Sequence, residues 1–160
     1  MPFEHFEQIG SLTYQQLKDL RHRGAFSTVT LTFARCCQLT QSYTIEGGKK
    51  HLLEQWYAGT IACINEQVST TRRSAGIPAL VTGILSAKSA SITLDNVMEN
   101  LLAIAREPVL LSEKDETNLP QVHAMNCIKD IFRSAVLGKR AEPFISDCLQ
   151  LAADALQSDM

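Results

Sequence analysis

The chain has 160 residues, enough for one ordinary domain with its own core. Hydrophobic residues make up 45% and charged residues 20%, a balance that excludes a disordered chain. Fifteen basic residues against seventeen acidic ones give a net charge of -2, so no global field draws in nucleic acid, and any such contact needs a local basic patch.

Phe3 to Arg21 reads as a first helix, with Phe6, Ile9, Leu12, Leu17 and Leu20 on one stripe and the Gly10-Ser11 pair as a point of division. Gly24 marks its stop behind the cations Arg21 and Arg23, with Lys18 one turn earlier. Ala25 to about Leu39 reads as a second helix. Its Thr28, Val29, Thr30 and Thr32 also suit a strand, but Phe26, Val29, Phe33 and Cys37 recur at helical intervals.

Gly47-Gly48 breaks the chain, and Lys49 to Val68 follows as a third helix on Leu52, Leu53, Trp56, Tyr57, Ile61 and Ile64. A fourth spans roughly Arg72 to Ala87 and contains Pro78, so it either starts near Ser74 to Ile77 or is kinked there. Thr93 is a plausible N-cap for a fifth helix carrying Leu94, Val97, Leu101 and Leu102. Leu111 to Leu119 is a polar loop.

Pro120 opens a sixth helix with an apolar face running up to Gly138, and Pro143 to Leu156 forms the last. About seven helices with no convincing strand make the class all-α. Their paired lengths suit an armadillo or HEAT-like helical repeat, an α-solenoid fragment in which residues 1–160 form one module. No repeat recurs at fixed spacing, so a compact bundle is the alternative.

The chemistry-bearing residues are scattered. There is no phosphate loop, no GxGxxG, no GxSxG and no HExxH. The five cysteines form no CxxC pair and read as buried thiols in a reducing compartment, which leaves no metal motif. No apolar run approaches the ~20 residues of a membrane span. The opening Met1 to Gln8, with Glu4 and Glu7, lacks the apolar core of a signal peptide. His123, beside an apolar helix start, reads as a hydrogen-bonded structural histidine.

The unusual block is Arg72-Arg73-Ser74-Ala75-Gly76-Ile77-Pro78. Two guanidiniums at an irregular helix entrance suit forked contacts with phosphates or with acidic groups of a partner; they equally suit bridges between neighbouring helices. Ala75 and Gly76 permit close backbone approach. A second basic surface comprises Lys129, Arg133, Lys139 and Arg140, with Lys129 and Arg133 on one helix face. A solvated face beside Asp130 and Glu142 explains these equally well.

With Thr71 in front, that arginine block resembles the thyroid adenoma-associated protein (THADA) family and its fungal tRNA-methylation subunits. Leu20-Arg21-His22-Arg23-Gly24-Ala25-Phe26-Ser27 and the stretch Pro120 to Arg133, PQVHAMNCIKDIFR, are similar to further family segments in the same order. The resemblance covers nearly the whole chain. It implies a fragment of a much longer armadillo/HEAT-type protein, cytoplasmic and non-catalytic, partnering an FtsJ-type methyltransferase that modifies a ribose 2′-hydroxyl in the tRNA anticodon loop. The partner would bind S-adenosylmethionine, this chain no cofactor, and Arg72 to Pro78 would be the signature that meets tRNA or partner. The other reading is a general protein-interaction module with no RNA role.

Overall fold

A computed structural model describes residues 3–19, 26–40, 51–65, 76–107 and 120–158. Among them lie eight α-helices: α1 (Phe3–Asp19), α2 (Phe26–Leu39), α3 (Leu52–Asn65), α4 (Gly76–Leu85), α5 (Leu94–Arg106), α6 (Pro120–Arg133), the short α7 (Leu137–Arg140) and α8 (Ile145–Ser158). A 3-10 turn, Glu142–Phe144, precedes α8. The described residues contain no strand.

The packing follows from which helices are apolar all round. In α4, GIPALVTGIL, there is no charged residue, and nine of its ten residues are buried. A helix without a polar face belongs inside, and α4 is surrounded by α1, α2, α3 and α6. Thr82, its one partly exposed residue, turns its hydroxyl back onto the Pro78 carbonyl at 3.1 Å.

Contacts between helices fix their directions. Gly10 and Tyr14 of α1 face Trp56 and Gly59 of α3 in the same order, so these two run parallel. Glu54 and Tyr57 of α3 meet Ser91, just before α5, and Asn100 within it, again in order, through hydrogen bonds of 2.8 and 2.7 Å. In α2, Phe33 and Gln38 meet Gly83 and Ser86 at the end of α4. The end of α4 and, after α6, Val136 and the α7 residue Arg140 flank the start of α5 in one cleft.

Two layers result: α1, α3 and α5 run one way, while α2, α4 and α6 run the other. This is solenoid-like packing of helical pairs. An aromatic cluster ties the first three helices together, with Phe33 and Trp56 rings 5.4 Å apart and Tyr14 stacked on Trp56 at 6.5 Å.

Several boundaries differ from the sequence expectation. Gly10-Ser11 does not divide α1; Gly10 instead lets the Trp56 indole approach the helix closely, with ring carbons 2.6 and 2.7 Å from where a Cβ would sit. The sixth helix does not run to Gly138. It stops at Arg133, and the Ser134 hydroxyl accepts the Leu137 N–H at 3.3 Å to start α7. Eight helices therefore stand where about seven were expected. Thr93 does cap α5, its hydroxyl accepting from the Asn96 N–H at 3.2 Å. The Gly24 and Gly47-Gly48 breaks and the loop 111–119 lie outside the described residues.

Candidate functional site

The alternation of directions gives the stack two edges. On the first, α1, α3 and α5 end and α2, α4 and α6 begin. Of the three sequence blocks singled out above, the described members Phe26, Gly76 and Pro120 each begin a helix at this edge (α2, α4 and α6), although they are about fifty residues apart in the chain. The described members show how closely: Gly76, the first residue of α4, is pressed onto the Leu17 carbonyl near the end of α1. A Gln121 amide from the start of α6 donates to the Glu107 carbonyl just past α5, at 3.0 Å.

Of the arginine block itself, Gly76, Ile77 and Pro78 are buried, with Ile77 1% exposed. These three serve as packing anchors and offer no surface for a ligand. Pro78 is the third residue of α4, where a missing N–H costs no helical bond. Arg72, Arg73, Ser74 and Ala75 lie outside the described residues, as do Arg21 and Arg23.

His123 lies one turn into α6 and is 2% exposed. Its Nε2 has no hydrogen-bond partner, contrary to the expectation of a bonded structural histidine. Burial holds its pKa below the usual imidazole value, keeping the ring neutral. The cysteines fall less uniformly than expected: Cys36, Cys37 and Cys127 are buried, but Cys63 and Cys148 only partly. Burial pushes the Cys37 and Cys127 thiols well above their ordinary value, away from the thiolate that nucleophilic chemistry needs.

The second basic surface divides. Lys129 and Arg133 are exposed on α6, and Lys139 and Arg140 are exposed on α7. Arg140 lines a cleft of about 310 Å³ on the opposite edge. Lys88 lines the same cleft, a residue the sequence did not single out because nothing in its neighbourhood, AKSAS, marks a site. A different cleft of about 350 Å³ lies between α3 and α5, lined by Glu54, Tyr57, Asn96, Glu99 and Asn100. Its charge is negative.

Among the described residues no group of three or more His, Cys, Asp or Glu side chains could hold a metal ion. No helix among them is long and apolar enough to cross a membrane.

Layered helical pairs with their apolar side buried define an all-α, solenoid-like helical protein. The THADA/TRM732, DUF2428 family model matches residues 1–160, and the chain belongs to that family. It is 31% identical over 160 residues to a fission-yeast protein, Schizosaccharomyces pombe "tRNA (32-2'-O)-methyltransferase regulator trm732", covering 94% of this chain and 10% of that one. Similarity extends to the human regulator THADA, at 28% over 152 residues, with 90% of this chain and 8% of the relative covered. The Drosophila melanogaster THADA is 26% identical over 163 residues, covering 94% and 9%. The chain thus spans about a tenth of the length of these relatives, which are named as regulators of a methyltransferase and not as methyltransferases. No solved structure matches.

Proposed function

We propose that this chain is a non-catalytic armadillo/HEAT-type scaffold module acting in ribose 2′-O-methylation of the tRNA anticodon loop, where it helps an FtsJ-type methyltransferase engage tRNA. The observation that carries this reading is the anchoring of the arginine block. Its last three residues are buried at the start of the central helix α4, and Gly76 is locked onto the backbone of α1. Paired guanidiniums next to such an anchor in the sequence have the fork geometry that grips a phosphate or a carboxylate. S-adenosylmethionine belongs to the partner, and the work is cytoplasmic.

The test is made in the intact regulator, reconstituted with its methyltransferase. Arg72→Ala together with Arg73→Ala abolishes anticodon-loop methylation while circular dichroism and thermal unfolding stay as in the parent. Normal methylation in that double variant removes the block from the mechanism.

A protein-interaction role without RNA is favoured by one feature, the cleft between α3 and α5. Glu54 and Glu99 line it and no Lys or Arg does, so it repels phosphates and suits a basic protein surface. Affinity that hardly changes with salt, in place of the steep fall that phosphate contacts produce, marks that reading as the correct one.

A further inference from the structure

On the edge away from the arginine block, the turn after α4 holds Lys88 at φ 53°, the only non-glycine residue with positive φ among those described. This left-handed conformation closes the helix, with the Lys88 N–H directed at the Leu85 carbonyl at 3.4 Å. Glycine is the residue such a position favours. Lysine is there in spite of the backbone, and its side chain lines the cleft of about 310 Å³ together with Arg140 of α7. Strain of this kind in a cleft directs attention to what the side chain does.

Lys88 and Arg140 are the charged residues of the cleft's lining. Leu85, Ile92 and Val136 form apolar walls, and no carboxylate lines it. The nearest acids along the chain, Asp95 and Glu142, are exposed outside the lining. Neither Lys88 nor Arg140 is in an ion pair among the described residues. Ser89 Oγ is already engaged, accepting from the Ser91 and Ile92 N–H groups at 3.2 and 3.4 Å. The cations are therefore the groups free to recognise a ligand. A cleft with charges of one sign and low-dielectric walls focuses its field on an incoming anion.

We propose that Lys88 and Arg140 form a phosphate-binding subsite for the backbone of an RNA strand, separate from the arginine block. A polyphosphodiester is favoured over a lone anion because the cleft is open to solvent and further exposed cations lie near its lining residues in the chain. Arg133 lies three residues before the wall residue Val136, and Lys139 lies next to Arg140. Val136, 64% exposed, offers an apolar surface beside the cations against which a base can rest. The choice of RNA as the anion rests on the tRNA reading above; the cleft itself does not.

The experiment measures binding of the full chain to an unmodified tRNA transcript across a salt series. The variants are Lys88→Gly, Arg140→Gln, the double variant, and Arg72→Ala/Arg73→Ala. Lys88→Gly is the informative one. It relieves the backbone, so thermal stability holds or rises, yet affinity falls roughly fivefold and the salt dependence loses about one counterion per cation removed. Arg140→Gln behaves likewise, and the double variant loses both.

Cleft variants that bind as the parent does, while the Arg72/Arg73 variant is weakened, overturn this subsite and leave the tRNA reading standing. A parent chain that binds no RNA overturns the tRNA reading and this one together. If a polyglutamate peptide binds the parent as tightly as RNA and is lost in the same variants, the subsite is for acidic protein segments and the RNA assignment fails. Competition by millimolar inorganic phosphate alone that displaces all bound RNA likewise overturns the strand as ligand.

Discussion

Gly76 packs against a backbone carbonyl, and that makes it the least replaceable residue of the arginine block. A Cβ there runs into Leu17 O and its carbonyl carbon, which belong to helix α1 and cannot turn aside as a side chain can. Overpacking of this kind costs about 3 kcal/mol. Gly76→Ala is therefore expected to lower the urea midpoint clearly, with the slope of the transition unchanged; an unshifted midpoint refutes the close approach. His123 has the opposite character. Its Nε2 is buried without a partner, so an apolar replacement of similar size forfeits no hydrogen bond there.

The pH dependence of His123 follows from the direction of its shift. Burial lowers its pKa in the folded state, so the unfolded chain binds the proton more readily. Its contribution to stability is complete above the ordinary imidazole value near ~6.5 and is lost as pH falls from there toward the folded value. Thermal unfolding at pH 7.5 and 5.5 checks this: His123→Leu matches or exceeds the parent at the higher pH and loses less between the two. Equal losses in parent and variant refute it.

At the scale of helices, the sequence was legible wherever one face is apolar. Thr93 stood out as a cap, and the face of α6 could be read in its Ile128 and Ile131 positions, now buried. The threonines of α2 left strand and helix both open, and packing decided the matter: Phe33, Cys36 and Cys37 bury one stripe against α4. Periodicity had nothing to report for α4, because a helix buried on all sides has no polar face to break the run. Helix α7 was hidden for another reason. Ser134 caps from within an apolar stretch, and a single serine there gives no warning of a break. The candidate site was legible as motif but not as place. That Gly76 would meet Leu17, or that Lys88 and Arg140 would line one cleft, depends on the stacking order of the helical pairs, which no local pattern encodes.

At the scale of the whole molecule, the exposed large hydrophobic side chains mark the two ends of the stack. Leu12 and Leu31 are 59% and 72% exposed on the first helical pair, and Leu149 is 66% exposed on α8. None lies on α3, α4 or α5. In a stack where each pair covers only its neighbours, such faces are where further surface docks. Covering one leucine fully contributes about 2 kcal/mol, roughly thirtyfold in an association constant. The isolated 160-residue chain is accordingly expected to self-associate end to end as its concentration rises. Leu31→Lys with Leu149→Lys should return it to monomer in sedimentation velocity with little change in thermal stability, since both side chains already face water. Lysines on the mid-stack positions Gln55 and Ala62 of α3, which are exposed between the ends, serve as the control and leave association as it was. Association that survives the end substitutions but yields to the control places the contact on the flank of the stack, and the ends are then ordinary surface.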